Sequence, residues 1–237
     1  MKTTLHKAET RGHANHGWLD SHHTFSFANY YDPTRIHFGA LRVLNDDIVQ
    51  GGMGFGAHPH ENMEIVSIPL QGALEHNDNT GRHEIIKTDD VQIMSAGTGI
   101  VHSEYNASKT DYVNFLQVWV FPKKQDVKPR YEQKTFNPAE RENKLLTVVG
   151  PDNNNCAIQI NQDAWFSLGK LKSGFATDYQ LHDLTHGLYA FVIEGSVNVD
   201  DQTIVKRDGL GIWETGAVKI TANEDSQLLL IEVPMLQ

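Results

Sequence analysis

Two short segments of this sequence carry histidines and carboxylates at alternating positions. The first segment, residues 54–64, reads GFGAHPHENME, and the second, residues 96–104, reads AGTGIVHSE. Residues two apart share one face of a β-strand, and neutral imidazoles and carboxylates are ligands of divalent transition metals. Two such strands lying side by side would bring these groups together around one metal ion. The side chains concerned are His58, His60 and Glu64 in the first segment and His102 and Glu104 in the second.

The glycines of residues 51–56, GGMGFG, are also similar to a phosphate-binding loop. A dinucleotide-binding loop requires a strand before it and a helix after it, and a P-loop requires Gly-Lys followed by Ser or Thr. Here a His-Pro-His strand follows the glycines, and no Gly-Lys-Ser/Thr signature is present. The glycines therefore favour a bend that leads into the metal-binding strand.

The composition disfavours several classes of protein. The chain has 237 residues, 39% of them hydrophobic, which suits one large domain or two small ones rather than a disordered or membrane protein. No run approaches the roughly 18 apolar residues of a membrane-spanning helix, and the N-terminus lacks the apolar core of a signal peptide. We therefore expect a cytoplasmic protein with no membrane partner. The formal net charge of −10 disfavours direct binding to nucleic acid, which depends on Lys and Arg.

The single cysteine, Cys156, has no partner for an internal disulfide or for a thiolate metal site. Reactive cysteines require an electropositive setting, and we expect this one to be an inert small residue near a turn.

Short strand-like segments separated by turns predict an all-β fold. Residues 115–121 and 38–44 have the apolar composition of buried strands, and the polar residues 45–47, Asn-Asp-Asp, are expected to end the second of these. Residues 122–144 are polar and are expected to form a crossover between two halves. Residues 145–237 again contain strand-like segments, so the second half is expected to be β-structure as well.

The two halves of the chain resemble each other faintly. The segments LQGAL and IEGSV parallel each other, and aligning Gly72 with Gly195 gives an offset of 123 between them. If the chain is a duplication, the second copy has lost the ligands of the first segment, because they fall on Leu181, Asp183 and Gly187. His182 and His186 lie nearby with helical spacing, and a second metal site there is a weaker alternative.

A glycine, a His-x-His pair, a glutamate four residues later and a further glycine form the first cupin motif. Here the motif consists of Gly54, His58, His60, Glu64 and Gly72. With the segment AGTGIVHSE, the segment GWLDS at residues 17–21 and the segment TFSFANYYDP at residues 24–33, the chain resembles the pirin family of two-cupin proteins. The likeness is closest to the bacterial quercetinase-like branch. It is very specific over residues 12–121 and loose over residues 145–237.

The resemblance implies an all-β fold of two tandem cupin barrels, which are double-stranded β-helices or jelly rolls. The N-terminal barrel would span residues 1–130 and bind the metal, and the C-terminal barrel would span residues 131–237 without metal ligands. Glu64 occupies the usual cupin carboxylate position, and spacing alone leaves open whether Glu104 or Glu64 is the ligand. The ligands that the resemblance implies are His58, His60, His102 and Glu104.

The resemblance also implies a dioxygenase that opens a flavonol such as quercetin with molecular oxygen and releases carbon monoxide. Three imidazoles and one carboxylate leave positions open on an octahedral ion. Iron(II) is the first choice of metal, with manganese, cobalt, nickel, copper and zinc as alternatives. Glu104, with Glu64 able to share the task, would remove the proton of the 3-hydroxyl. The alternatives are a non-catalytic, metal-dependent regulator or redox sensor that acts through protein partners, and a cupin scaffold that binds a small molecule without reaction.

Two further groups of residues have more than one interpretation. The apolar side chains of Phe25, Phe27, Phe38 and Met53 either line a pocket for a flat aromatic ring or pack in the core or at its mouth. The imidazoles of His13, His16, His22 and His23 either contribute to a site or lie exposed or at caps.

Overall fold

The computed structural model describes residues 1–152 and 157–236, which form β-strands and two short 3-10 segments, Ala8–Thr10 and Pro138–Arg141. The strands of the first half are β1 (Lys2–His6), β2 (Gly12–Asn15), β3 (Leu19–His23), β4 (Leu41–Val49), β5 (Gly54–His60), β6 (Glu64–Gln71), β7 (Ala73–Asp78), β8 (His83–Lys87), β9 (Asp90–Ser95), β10 (Ile100–Asn106), β11 (Val113–Val120) and β12 (Arg130–Thr135). Those of the second half are β13 (Leu145–Gly150), β14 (Ile158–Gln159), β15 (Trp165–Leu171), β16 (Ala176–Gln180), β17 (His186–Glu194), β18 (Ser196–Val199), β19 (Gln202–Val205), β20 (Gly209–Trp213), β21 (Ala217–Ala222) and β22 (Ser226–Pro234). Cys156 lies outside the described residues. Within the two described ranges, no helix has the length and apolarity needed to cross a membrane.

The strands form four sheets. In the first half, a seven-stranded sheet in the order β12-β9-β6-β11-β4-β3-β2 packs against a four-stranded sheet in the order β5-β10-β7-β8. In the second half, a seven-stranded sheet in the order β1-β20-β17-β22-β15-β13-β14 packs against a four-stranded sheet in the order β16-β21-β18-β19. The predicted all-β fold of two tandem cupin barrels is therefore confirmed.

The largest core lies between the two seven-stranded sheets, and strand β11 shows how the sequence builds it. Leu116 and Val118 face this core, which they share with residues of the second half such as Phe166. The alternate residues Phe115 and Gln117 face the interior of the first barrel. Both faces of β11 are buried, which explains its nearly continuous apolar run. Burial of each apolar side chain contributes about 1.5–3 kcal/mol and holds the two halves together.

The internal repeat predicted from the two glycine segments appears in the turns. Gly72 lies between β6 and β7 with a φ of 79°, and Gly195 lies between β17 and β18 with a φ of 88°. This left-handed conformation is one that glycine adopts without a steric penalty. Asp90 and Asp208 are equivalent too, since the side chain of each accepts a hydrogen bond from the backbone N–H three residues earlier, at 2.8 and 3.2 Å.

Two strands lie at the edges of the large sheets. Strand β1, although it begins the chain, pairs with β20 of the second half, and strand β12, within residues 122–144, pairs with β9 of the first half. Residues 122–144, expected to be only a crossover, therefore contain an edge strand of the first sheet. A division between residues 130 and 131 stays a prediction, because sheet membership assigns β1 to the second half and β12 to the first.

Residues 45–47 do not end a strand, and that prediction is wrong. Strand β4 continues through all three residues, and their side chains are buried. The two carboxylates have partners on other strands: Asp46 Oδ1 accepts a hydrogen bond from Asn114 Nδ2 at 2.8 Å, and Asp47 Oδ1 accepts one from Ser21 Oγ. Buried polar groups with such partners are tolerated in a strand, and these contacts override the local preference for a turn.

Candidate metal centre

Three histidines converge where strands β5 and β10 pair. His58 lies directly opposite His102 in the antiparallel register. The ring centroids are 4.5 Å apart for His58 and His102, 4.8 Å for His58 and His60, and 5.0 Å for His60 and His102. One ring nitrogen from each histidine lies within 4.8 Å of the other two. The register shifts just beyond this point, and such a bulge commonly re-aims side chains at functional sites.

A chain of polar side chains on β7 holds the buried ring of His102. Asp78 Oδ2 accepts a hydrogen bond from His76 Nε2 at 3.0 Å, and in the tautomer with its proton on Nε2, His76 Nδ1 accepts one from His102 Nδ1 at 3.4 Å. The lone pair of His102 is therefore on Nε2, which is buried and has no hydrogen-bond partner within the described structure. An unsatisfied buried acceptor costs free energy, and a metal ion would satisfy it. The donor set therefore fits a metal.

The other two histidines also favour metal binding. His58 Nδ1–H donates to the carbonyl of Gly56 at 2.7 Å, so Nε2 is the ring nitrogen available to a metal. Burial, and then electrostatic interaction with the His58 imidazole, lowers the pKa of His60 to about 4. Burial, followed by electrostatic interaction with the His58 and His60 imidazoles, lowers the pKa of His102 to about 2. His60 and His102 are therefore neutral at pH 7, which is the form that binds metal.

Glu104 reaches across the barrel from the four-stranded to the seven-stranded sheet. Its Oε2 accepts a hydrogen bond from Gln117 Nε2 at 2.8 Å, and its Oε1 accepts one from Ser67 Oγ at 3.2 Å. Gln117 Oε1 accepts a hydrogen bond from Trp119 Nε1 at 3.2 Å, and this contact orients the Gln117 amide. Burial raises the pKa of Glu104, with nearby imidazoles and the two hydrogen bonds opposing the effect. A bound cation would favour the carboxylate.

The predicted ligands form two groups that meet at one histidine. A carboxylate oxygen of Glu104 lies within 4.8 Å of ring nitrogens of His76 and His102. Glu104 also lines the same cavity as His58 and His60. The structure thus places Glu104 beside the three-histidine group, and its role as the fourth ligand stays a prediction.

The cavity beside the histidines has a volume of about 500 Å³ and a wall of aromatic side chains. Trp119 makes edge contacts with His60 at a centroid distance of 4.9 Å and with Phe27 at 5.3 Å. His23 makes an edge contact with Phe27 at 5.2 Å. A cavity of this size, with aromatic walls and a few polar groups, suits a small flat molecule.

The four apolar residues considered for this wall have different locations. Phe27 lines the cavity. Phe25 and Phe38 are buried in the core between the two halves. Met53 is 41% exposed. The alternative of core packing therefore holds for Phe25 and Phe38.

Glu64 is not among the described residues that line this cavity. Strand β5 ends before Glu64 and β6 begins with it, and Asn62 in the intervening turn has a φ of 48°. The alternation of side chains along β5 therefore does not extend to Glu64. Glu64 Oε2 accepts hydrogen bonds from Ser95 Oγ at 2.7 Å and from the backbone N–H of Asn161, in the second half, at 3.1 Å. These contacts favour a structural role between the two halves. A catalytic role for Glu64 stays a prediction.

In the second half, His182 and His186 contact the fully buried carboxylate of Glu232. The Nδ1 atoms of His182 and His186 lie 2.8 and 2.9 Å from its two oxygens. The Tyr179 hydroxyl donates a third hydrogen bond at 2.8 Å, and the ring of Trp165 stacks on His182 at 3.9 Å. These contacts give both imidazoles a structural role at the end of β22. The absence of metal from the second half stays a prediction.

Sequence reasoning missed the residues that surround the ligands. His76 and Asp78 alternate on β7, and the register places them opposite Glu104 and His102. Their alternation is the same signal that identified the histidines at 58 and 60. Gln117 offered no such signal, because it lies within an apolar strand and its partner, Glu104, comes from a different sheet.

Comparisons with known proteins agree with this fold. The Pirin family model matches residues 4–120, and the model of the quercetinase C-terminal cupin domain matches residues 147–233. A quercetin 2,3-dioxygenase of Escherichia coli K12 is 44% identical over 230 residues, covering 97% of this chain and 98% of the relative. A pirin-like protein of Caulobacter vibrioides is 40% identical over 222 residues, covering 93% and 95%. The crystal structure of the bacterial pirin YhhW from Escherichia coli in complex with nickel(II) superposes with a TM-score of 0.94 at 42% identity, covering 99% of this chain and 100% of that one.

Proposed function

The chain belongs to the pirin family, and from this membership we propose that it is a metal-dependent dioxygenase that opens a flavonol such as quercetin with molecular oxygen. The observation that carries the proposal is the position of the histidine group. His58, His60 and His102 present metal-binding nitrogens at one wall of an aromatic cavity of about 500 Å³. The cavity therefore offers a binding place for a flat substrate beside a metal site.

The metal would be held by His58, His60 and His102, with Glu104 proposed as the fourth ligand. Iron(II) is the metal we propose, since imidazole and carboxylate donors suit it, although they do not select strongly among divalent transition metals. A bound ion of this kind supplies open coordination positions and Lewis acidity for an oxygen molecule and a hydroxylated substrate. Burial of His60 and His102 keeps their imidazoles neutral and ready to bind it.

Two aromatic side chains would orient the substrate. Trp119 and Phe27 pack edge to face next to His60, and together they present a rigid apolar surface. Flat rings pack well against such surfaces, and the enclosing walls exclude water from the reacting end. Trp119 also donates a hydrogen bond to Gln117, which in turn donates one to Glu104. The same side chain therefore forms part of the substrate wall and orients the hydrogen-bond partner of Glu104.

Glu104 is the proposed acceptor of the substrate hydroxyl proton. Burial raises the pKa of its carboxyl group and so favours proton uptake, whereas a bound cation acts in the opposite direction. Its Oε2 is engaged by Gln117 at 2.8 Å, whereas its Oε1 has only the longer 3.2 Å contact with Ser67. The proton would therefore be taken up at Oε1.

Oxygen uptake with quercetin, measured with an oxygen electrode alongside elemental analysis, tests this function. The change His60→Ala should abolish both turnover and stoichiometric metal in the cavity. The matched control is His83→Ala, because His83 is an exposed histidine on β8 outside the cavity, and it should leave both unchanged. Turnover that persists in metal-free protein would refute the dioxygenase assignment. A metal-loaded protein without oxygen uptake on a panel of flavonols would instead favour the regulator that acts through protein partners.

A further inference from the structure

A second group of potential metal ligands lies on the hairpin formed by β2 and β3. His13 on β2 lies directly opposite His22 on β3, and Asn15 lies opposite Asp20. The two imidazole rings stack with their centroids 4.4 Å apart and an interplanar angle of 18°. Alternation along each strand puts all four side chains on the same face of the hairpin. We call His13, Asp20 and His22 the hairpin triad.

The carboxylate of the hairpin triad is already positioned between the two imidazoles. Asp20 Oδ1 lies 2.9 Å from His13 Nε2 and 3.5 Å from His22 Nδ1, and one ligand atom from each of the three residues lies within 4.8 Å of the other two. Asn15 fixes the other oxygen, because its Nδ2 donates to Asp20 Oδ2 at 3.2 Å. Asn15 is itself held, since its Oδ1 accepts a hydrogen bond from the backbone N–H of Gly17 at 2.8 Å.

From this arrangement we propose that the hairpin triad binds a second divalent transition-metal ion, separate from the ion of the cavity. The side chains of His13, Asp20 and His22 are 51%, 37% and 36% exposed, so an ion from solvent can reach them without opening the fold. Two imidazoles and one carboxylate select transition metals over magnesium and calcium, which prefer oxygen ligands. Water would complete the coordination, and affinity is expected to be highest for copper and lower for zinc, nickel and cobalt.

The hairpin triad lies on β2 and β3, which also border the cavity. His13 on β2 and the alternate residues Ser21 and His23 on β3 line the cavity, whereas Asp20 and His22 are not among its described lining residues. An ion held between β2 and β3 would tie the edge strand to its neighbour at this wall. The site does not depend on the proposed function, because none of its three residues belongs to the three-histidine group.

Calorimetric titration of the metal-loaded protein with Zn²⁺ tests this proposal. The wild-type protein should take up one further ion per chain, and the double change His13→Gln with His22→Gln should remove that uptake. His83→Gln is the matched control, because His83 Nε2 also lies 2.8 Å from a carboxylate, that of Glu75, but His83 belongs to none of the ligand groups among the described residues. The control should bind the further ion as the wild type does.

Asn15→Ala tests the positioning of the carboxylate without removing a ligand. Loss of a residue that orients a metal ligand commonly lowers metal affinity by about 10- to 100-fold, and we expect a weakening of that size here. The His60→Ala protein should lose the cavity ion and keep the hairpin ion. Failure of the proposed function would therefore show as missing turnover or cavity metal, whereas failure of this site would show as a missing further ion. The proposal is overturned if the wild type takes up no further ion. It is also overturned if uptake is the same in the His13→Gln/His22→Gln protein.

Discussion

Replacing Glu104 with glutamine separates the contribution of the carboxylate from that of the histidines. The change keeps the shape of the side chain, and the amide oxygen can still accept one of the hydrogen bonds now made by Gln117 and Ser67. What the change removes is the negative charge beside the three-histidine group. If Glu104 is the fourth ligand, the affinity for the cavity metal should fall.

The size of the effect follows from the position of Glu104. A carboxylate oxygen lies within 4.8 Å of a ring nitrogen of His102. If a bound ion lay at a similar distance, charges of −1 and +2 separated by about 5 Å would attract each other by about 6–7 kcal/mol at an effective dielectric constant of about 20. Desolvation of the carboxylate and the oxygen that glutamine retains offset part of this energy. We expect a net loss of about 2–4 kcal/mol, which is a rise in Kd of about 30- to 1,000-fold.

Calorimetric titration of chelator-treated protein with Ni²⁺ measures this loss. The His13→Gln/His22→Gln background restricts the signal to the cavity. Glu64→Gln is the matched control, because Glu64 is also a buried carboxyl group with a pKa raised by burial, but it contacts Ser95 and Asn161. The control should bind Ni²⁺ with unchanged affinity. An unchanged Kd for Glu104→Gln, or a larger loss for Glu64→Gln, would refute the assignment of Glu104.

Three further predictions concern residues around the cavity. His76→Leu should raise the Kd of the cavity metal by about 10- to 100-fold, because it removes the acceptor that orients His102. His76→Gln retains an acceptor and should lose less metal affinity. Titration of both variants with Ni²⁺ compares them, and equal affinities would contradict the role of His76. Trp119→Leu should raise the KM for quercetin by about tenfold, because the substrate loses a stacking surface. Elemental analysis should show the same metal content as in the wild type. An unchanged KM would show that Trp119 does not contact the substrate. Asp47→Asn should change how stability depends on pH, because burial raises the pKa of Asp47 to about 7, above its ordinary value of 3.8. The folded protein then holds this proton more tightly than the unfolded chain, so the wild type loses stability relative to the variant as pH rises from about 4 through 7, by at most about 4 kcal/mol. Urea unfolding of both proteins at pH 4.5 and pH 8 measures the difference, and parallel pH profiles would contradict it.

Alternation along the strands made most of the candidate site predictable from the sequence. His58 and His60 share a face of β5, and that face meets His102 across a single antiparallel pairing. Only the pairing of β5 with β10 had to be assumed, and the metal-binding side chains on both strands indicated this pairing. The equivalent turns at Gly72 and Gly195 were predictable for a similar reason, since left-handed backbone strongly favours glycine.

Alternation failed for Glu64, where the chain turns before the next strand begins. The positive φ of Asn62 ends the pattern of β5, and the Glu64 side chain is directed to Ser95 and Asn161 instead of the cavity. No rule of spacing could show this, because the partner Asn161 is 97 residues away in the second half. The prediction that residues 45–47 end a strand was wrong for the same reason: the partners of Asp46 and Asp47, which are Asn114 and Ser21, lie on other strands.

The sequence by itself determined the fold class, the repeat and the three histidines, because each depends on local spacing or on a glycine conformation. The tertiary structure alone decided which glutamate lies beside the histidines, that Gln117 contacts it, and that the alternating pair His76 and Asp78 faces His102 and Glu104. Glu104 meets Gln117 across the barrel, and His102 meets His76 across a strand pair. Such contacts join residues whose relative position depends on how the sheets pack, and this is why a linear pattern of residue types did not contain them.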